Sequence, residues 1–238
     1  ITSPVGQSIA NIITGKETGQ SGATYKIPGL LGSKACKADT CCVWAYIAID
    51  LTLAFRGPSG RCNSLARQAI RLGFHDAAAW SKTRGGGGAD GSLVLSADEI
   101  NRADNNGLQG IVAKAKALHK IYAPFGVSMA DLVQFGANHA VVTCPLGPRV
   151  RTFVGRKDSS VAAPDGLMPD VKSPADTIIK LFEDKTITPH MLAALVGAHT
   201  TSQQFFVDPK RAGAPQDGGA DLGRLHPLGL AGEQGGAD

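Results

Sequence analysis

The chain has 238 residues, of which 43% are hydrophobic and 18% charged, so it is long enough to bury a sizeable core. Its formal net charge is only +4, with no block of five like charges, which argues against a dedicated nucleic-acid binder. No apolar run approaches the roughly 20 residues that a membrane-spanning helix needs, so the sequence predicts no membrane span.

Helical patterns follow one another along the chain, while strand patterns are scarce. Residues 1–34 are rich in Gly, Ser and Thr without periodicity, so we expect an irregular extension there. Beyond it, five segments carry helix signals: Asn63–Asp76, Asn106–Tyr122, the residues after Ser128, those after an N-cap at Ser173 with Pro174 at N1, and Met191–His199 after Thr188-Pro189. The sequence therefore predicts an all-α fold with long ordered loops and little β-structure.

The stretch Arg71-Leu72-Gly73-Phe74-His75-Asp76 contains the first candidate site. Arg71 and His75 are four residues apart in a helical pattern, so their side chains share one face. A guanidinium beside an imidazole suits a site where His75 moves a proton and Arg71 stabilises developing negative charge. A surface arginine near a histidine at a helix end explains the pattern equally well, and the hexapeptide alone leaves both interpretations open.

A second candidate site combines Asp76 with the stretch Gly88-Ala89-Asp90-Gly91-Ser92. Carboxylates, a hydroxyl and free carbonyls on a glycine-rich loop are the ligands that a hard cation such as Ca²⁺ prefers. The EF-hand pattern is absent. An ordinary glycine loop with Asp turn residues is the competing interpretation.

His199 ends an apolar pattern that includes Leu195 and Val196, and Thr200 follows it. A lone histidine in such a pattern is more often a core residue than a ligand. The six histidines and five cysteines form neither His-Glu-x-x-His nor Cys-x-x-Cys, which argues against a zinc enzyme. No Gly-x-Ser-x-Gly motif indicates a serine hydrolase.

Taken in order, these segments resemble the plant-type haem peroxidase superfamily, and most of all its secreted fungal class II members. The resemblance extends from about Cys36 to Asp217. The matching residues are Arg71, Phe74 and His75, then Glu99 and Asn105 in Glu-x5-Asn-x-Gly-Leu, Gln134-Phe135, Cys144-Pro145, Gly155-Arg156, Ala163 to Leu167, and Leu195 to Thr200.

The resemblance implies a fold that holds haem b between a distal and a proximal helix, with His199 as the axial iron ligand. His75 would move the proton of hydrogen peroxide, and Arg71 would stabilise the charge that develops as the O–O bond breaks. Asn105 would fix the tautomer of His75, and Phe74 would line the distal side of the porphyrin. The implied enzyme oxidises small donors by one-electron steps at the haem edge.

The resemblance also implies two calcium sites. The distal ligands match Asp76, Gly88, Asp90 and Ser92, and two proximal ligands match Thr200 and Asp217. Gly219 and Arg224 stand where further proximal side-chain ligands are expected, so the proximal set is less complete.

The implied substrates follow from two positions at which this chain differs from specialised members of the family. Manganese-oxidising members carry carboxylates where this chain has Ser64, Gln68 and Phe205. The surface tryptophan of lignin-oxidising members would fall on Ala194. We therefore expect a generic peroxidase that acts on small phenols and similar aromatic donors.

The proximal His–Asp hydrogen bond of the family uses an aspartate farther downstream than this chain extends, and without it O–O cleavage should be slower. This departure motivates an alternative hypothesis from another class. The chain would then be a catalytically impaired protein with the peroxidase fold, stabilised by calcium and serving in binding or structure.

The resemblance implies disulfides Cys36–Cys42 and Cys62–Cys144, which leaves Cys41 without its family partner. Disulfides are typical of an oxidising compartment, so we expect a secreted, extracellular monomer. The expected organisation is an extension over residues 1–34, a peroxidase domain over 35–217, and an irregular tail over 218–238 that departs from the family.

Overall fold

A computed structural model of the protein describes residues 2–144, 147–205 and 207–213. Within these residues, β-structure is limited to isolated bridge residues, which include the pairs Gln20 with Val150 and Arg56 with Cys62. The prediction of an all-α fold is confirmed. The chain divides into two compact units, Ile1–Ala79 with Gly86–Pro164, and Trp80–Gly85 with Asp165–Asp238.

The first unit contains most of the described helices. They are α1 (Pro4–Ile13), α2 (Lys34–Lys37), α3 (Thr40–Phe55), α4 (Ser64–Ala78), α5 (Ser92–Leu95), α6 (Gln109–Tyr122) and α7 (Met129–Thr143). The second unit contains α8 (Ala175–Asp184) and α9 (Pro189–Val196). Short 3₁₀ turns lie at Glu99–Asn101, Ala103–Asn105, Ala123–Phe125, Gly197–Thr201 and Pro209–Arg211. None of the described helices is long and apolar enough for a membrane span.

Helix α4 begins where the sequence predicts, because the side chain of Asn63 accepts hydrogen bonds from the amides of Leu65 and Ala66 at 2.9 and 3.1 Å. Its buried face includes Ala69 and Leu72. This face packs against α7 and α6 in the core of the first unit, which also contains buried residues of α3.

Helix α7 begins at an N-terminus that two side chains cap from outside the helix. Ser128 Oγ accepts from the Asp131 amide at 3.1 Å, and the Asp158 carboxylate accepts from the amides of Met129 and Ala130 at 3.0 and 2.8 Å. These bonds satisfy donors that a helix N-terminus otherwise leaves unpaired, and those to Asp158 hold the loop around that residue at the start of α7.

Both disulfides implied by the resemblance are present, Cys36–Cys42 and Cys62–Cys144. The second joins residues 82 apart in the sequence and connects the segment before α4 to the end of α7. Cys41 is an exposed free cysteine.

Three helix predictions need correction. The expectation that residues 1–34 are irregular is wrong for Pro4–Ile13, which form α1 with Ser3 as N-cap. Ser173 is not the N-cap of α8, because Pro174 occupies that position. Thr188 caps its helix as predicted, but α9 ends at Val196, and His199 lies in the following 3₁₀ turn. The division into 1–34, 35–217 and 218–238 stays a prediction, and residues 218–238 lie outside the described residues.

Candidate active site

Helix α4 and the 3₁₀ turn at Ala103–Asn105 bring together the residues predicted to act on peroxide. Arg71 and His75 share one face of α4, and the His75 ring is 8% exposed. His75 Nδ1 lies 2.8 Å from Asn105 Oδ1, and the two residues are 30 apart in the sequence. Phe74 stands edge-on to the His75 ring, with centroids 5.7 Å apart.

The hydrogen bonds assign the tautomer of His75. Arg71 Nε donates to His75 Nε2 at 3.1 Å, so Nε2 carries the lone pair and Nδ1–H donates to Asn105 Oδ1. The Asn105 amide is oriented in turn, because its Nδ2 donates to the Glu99 carbonyl at 2.7 Å. The atom that would accept a proton is thus Nε2.

The Arg71 guanidinium also holds the backbone on both sides of Asn105. Its Nη1 donates to the Asn106 carbonyl and its Nη2 to the Asp104 carbonyl, both at 2.7 Å. A guanidinium has five N–H donors, and these three bonds leave one further donor on each terminal nitrogen. Arg71, His75 and the Asn105 loop therefore form a closed ring of hydrogen bonds.

The charge state of His75 follows from its surroundings. Burial and, to a smaller extent, the Arg71 cation lower the pKa of His75 to about 4, although the bond to Asn105 partly opposes the shift. The imidazole is therefore neutral at physiological pH. A buried neutral base beside a permanent cation can accept a proton and stabilise an anion at the same place.

Glu99 anchors the loop that carries Asn105. Its carboxylate is buried and accepts from the Ala163 amide at 3.0 Å, while its backbone carbonyl holds Asn105. Glu99, which the resemblance pairs with Asn105, therefore orients Asn105 through its backbone carbonyl and is itself held through its side chain.

The candidate cation site lies directly after His75. The Asp76 carboxylate is fully buried and accepts from the amides of Gly91 and Leu93 at 3.1 and 3.4 Å. The Ser92 hydroxyl is buried and has no hydrogen-bond partner among the described residues. An orphaned buried hydroxyl costs free energy unless a ligand satisfies it, which fits a bound cation.

The electrostatics of this loop also favour a cation. Burial, with a smaller contribution from the negative charges of Asp90 and Glu99, raises the pKa of Asp76 to about 7 despite the amide hydrogen bonds that oppose the shift. Asp90 Oδ1 accepts from the Ser92 amide, and the Gly88 carbonyl accepts from the Asp90 amide. No cluster of three His, Cys, Asp or Glu side chains occurs among the described residues, so a cation here would rely on the hydroxyl and backbone carbonyls as well.

The second unit carries the other predicted residues. His199 is exposed in the turn Gly197–Thr201, and Met191 and Leu195, spaced four residues apart on α9, are 41% and 45% exposed. Thr200 is exposed too, and its hydroxyl donates to the Gly197 carbonyl at 2.9 Å. An exposed imidazole has a ring nitrogen that can serve as a metal ligand. Asp217, Gly219 and Arg224 lie outside the described residues.

A family model described as Peroxidase matches residues 54–217. The chain belongs to the peroxidase family. This confirms the resemblance, which rested on the order and spacing of the same segments.

Curated fungal relatives cover most of this peroxidase chain. Ligninase C of Trametes versicolor is 31% identical over 226 residues, which is 90% of this chain and 59% of the relative. Ligninase LG2 of Phanerodontia chrysosporium is 35% identical over 75% of this chain and 49% of its own length. A peroxidase of Arthromyces ramosus is 31% identical over 78% and 51%. The chain thus spans about half the length of the curated relatives it matches.

Two glutamines of this peroxidase chain have roles that sequence reasoning missed. Gln68 Oε1 accepts from the Ile111 amide at 3.2 Å, so it caps the start of α6. Gln134 Nε2 donates to the Gly73 carbonyl of α4 at 3.0 Å. The sequence analysis names Gln134 only as part of a family motif. A polar residue within an apolar helical stretch indicates that its side chain has a hydrogen-bond partner inside the protein, and this pattern could have identified Gln134.

Proposed function

We propose that this member of the peroxidase family is a haem-dependent peroxidase, which reduces hydrogen peroxide and oxidises small phenolic or aromatic donors by one-electron steps. One observation carries the proposal. The buried, neutral His75 directs an unprotonated Nε2 toward the Arg71 guanidinium, while Asn105 holds the opposite ring nitrogen. Packing alone does not explain this combination, because placing a cation beside a buried neutral base costs solvation free energy.

The residues present fit haem b as the cofactor. His199 would ligate the iron, and the exposed apolar side chains of Met191 and Leu195 would contact the porphyrin. Phe74, edge-on to His75, would border the distal side. When bound, haem supplies the redox-active iron that peroxidases use to cleave the O–O bond.

The side chains of the distal set perform the proton chemistry. His75 Nε2 accepts the proton of hydrogen peroxide while Asn105 Oδ1 holds Nδ1–H, so the ring keeps its orientation as it becomes cationic. Arg71 keeps its own proton and stabilises the negative charge that develops on oxygen. Because Arg71 Nε occupies the lone pair of Nε2 in this structure, the peroxide O–H must replace that donor.

We also propose that Asp76, Gly88, Asp90 and Ser92 hold Ca²⁺. The support is the partnerless Ser92 hydroxyl beside the buried Asp76 carboxylate. Because Asp76 directly follows His75, a bound ion would stabilise the last turn of α4. A proximal Ca²⁺ at Thr200 and Asp217 remains a prediction.

The choice of organic donors over manganese has structural support at one position. Gln68 stands where a manganese-oxidising member would carry a carboxylate, and its amide oxygen already caps α6. Secretion of the protein is supported by two disulfides, which persist in oxidising compartments. A monomeric state remains a prediction.

Haem reconstitution tests this function. The purified chain is titrated with haem, and the absorption spectrum is recorded for wild type, His199→Leu and the control His190→Leu, whose exposed histidine also lies in the α9 segment. We expect a Soret band in wild type and control that is altered or lost in His199→Leu. The loaded wild type should then oxidise a phenol, but not Mn²⁺, when peroxide is added.

The alternative function is tested by the same titration. A chain that binds no haem, yet melts at a higher temperature when Ca²⁺ is added, would be a calcium-stabilised binding or structural protein with the peroxidase fold. That result would overturn the proposed activity and leave family membership intact.

A further inference from the structure

Gln134 connects α7 directly to the backbone of α4, two residues before His75. Its half-buried side chain donates from Nε2 to the Gly73 carbonyl at 3.0 Å. The helices approach closely there, because a Cβ added to Gly73 would lie only 2.4 Å from the Cβ of Ala137. The bond therefore acts where α4 and α7 are already in tight contact.

The other contacts of His75 fix its ring rather than the backbone that carries it. Asn105 holds Nδ1, and Arg71 approaches Nε2. Neither contact acts on the backbone of α4 at Gly73. Within an α-helix, the Gly73 carbonyl also accepts from the amide four residues later. The Gln134 side chain adds a second donor to this carbonyl and so restrains the backbone of that turn directly.

We propose that Gln134 is a positioning residue for the peroxide reaction, acting on His75 through the Gly73 carbonyl; this inference rests on the proposed function of His75 as base. Proton transfer requires a heavy-atom separation of about 2.6–3.2 Å between donor and base. A small displacement of α4 would take Nε2 out of that range without removing any group that touches peroxide.

The chain offers a matched control for this bond. Gln134→Met keeps the length of the side chain and removes the amide donor. Asn138 lies one turn farther along α7, and its Nδ2 donates to Thr152 Oγ1 at 3.0 Å. Asn138→Leu therefore removes a side-chain amide bond of equal length from the same helix, at a position whose partner is outside α4.

Two measurements distinguish positioning from stability. The first is the ¹⁵N NMR signal of the His75 ring in the haem-free chain at fixed pH. The second, on the haem-loaded chain, separates the rate constant for reaction with hydrogen peroxide from that for donor oxidation. We expect Gln134→Met to shift the ring signals and slow the peroxide step about threefold to tenfold, with the donor step unchanged. Asn138→Leu should change neither, although both variants unfold at lower temperature than wild type.

The proposal is overturned if Gln134→Met leaves the His75 signals and the peroxide step unchanged, or if Asn138→Leu changes them equally. If Gln134→Met does not fold, Gln134→Asn, which keeps the amide but shortens its reach, enters the same comparison. Wild type that binds haem but does not react with peroxide would refute the proposed function, while the NMR comparison would still decide whether Gln134 positions His75.

Discussion

Two glycines in the interiors of α4 and α7 give opposite predictions for the same substitution. A Cβ added at Gly73 would lie 2.4 Å from Ala137 Cβ, whereas a Cβ at Gly136 would meet nothing within 4 Å. Carbon atoms pack at about 3.5–4.0 Å, so Gly73→Ala forces a displacement of more than 1 Å between the two helices. Gly136→Ala needs none.

The magnitudes follow from two terms. Replacing a helix-interior glycine by alanine stabilises a helix by about 0.5–1 kcal/mol. Overpacking a tight contact costs about 1–3 kcal/mol. Gly136→Ala should therefore raise the free energy of unfolding by about 0.5–1 kcal/mol. Because 2.4 Å is far inside carbon–carbon contact, the overpacking cost at Gly73 should be about 2–3 kcal/mol, so Gly73→Ala should lower the free energy of unfolding by about 1–2.5 kcal/mol after the helix gain is subtracted.

Urea unfolding of the non-reduced chain measures both effects, and a second-site variant identifies the cause. Ala137→Gly removes the atom that the new methyl would strike, so Gly73→Ala combined with Ala137→Gly should show a favourable coupling of about 1 kcal/mol or more. Gly73→Ala that is as stable as wild type, or a double variant without coupling, would refute the close approach of α4 and α7.

Three further predictions concern stability. Replacing Cys62 and Cys144 by serine should lower the free energy of unfolding by about 4 kcal/mol on loop-entropy grounds, since the disulfide joins residues 82 apart; a loss below about 1 kcal/mol in urea unfolding would contradict this. Added Ca²⁺ should raise the melting temperature of wild type more than that of Ser92→Ala, and equal shifts would count against the Ser92 hydroxyl as a ligand. Burial lowers the pKa of His139, so the unfolded chain binds a proton there more readily than the folded chain. Protonation of this histidine therefore favours unfolding, and the free energy of unfolding falls as the pH decreases below about 6.5. The stability difference between wild type and His139→Gln should therefore shift against wild type from pH 7.5 to 5, and a pH-independent difference would contradict that reasoning.

The sequence predicts helices best where a cap precedes an amphipathic pattern. Asn63, Ser128 and Thr188 all accept from amides of the first turn of their helices. Helix α3 has no polar face comparable to that of α4, since its run from Thr40 to Phe55 is apolar on most sides, and such a pattern has no clear period. Helix α1 was missed although Ser3-Pro4 is the same start signal as Thr188-Pro189, because the composition of the surrounding residues suggested a coil.

The candidate site was predictable in its residue types but not in its hydrogen bonds. The four-residue spacing of Arg71 and His75 places both on one face, which the structure shows. Asn105 could be connected to them only through the family pattern, because the contact closes a loop of 30 residues. The bonds of Arg71 to the carbonyls on either side of Asn105 involve backbone atoms, which every residue type offers, so no sequence pattern reports them.

The reaction of the haem-loaded chain with hydrogen peroxide, followed by stopped-flow absorption, tests the role of His75 most directly. His75→Leu removes the base and puts an apolar side chain of similar reach in its place, so the haem spectrum before mixing should match that of wild type. Loss of general-base catalysis predicts a peroxide reaction about 10²- to 10⁴-fold slower than in wild type. Equal rates in the two proteins would contradict the assignment of His75 Nε2 as the proton acceptor.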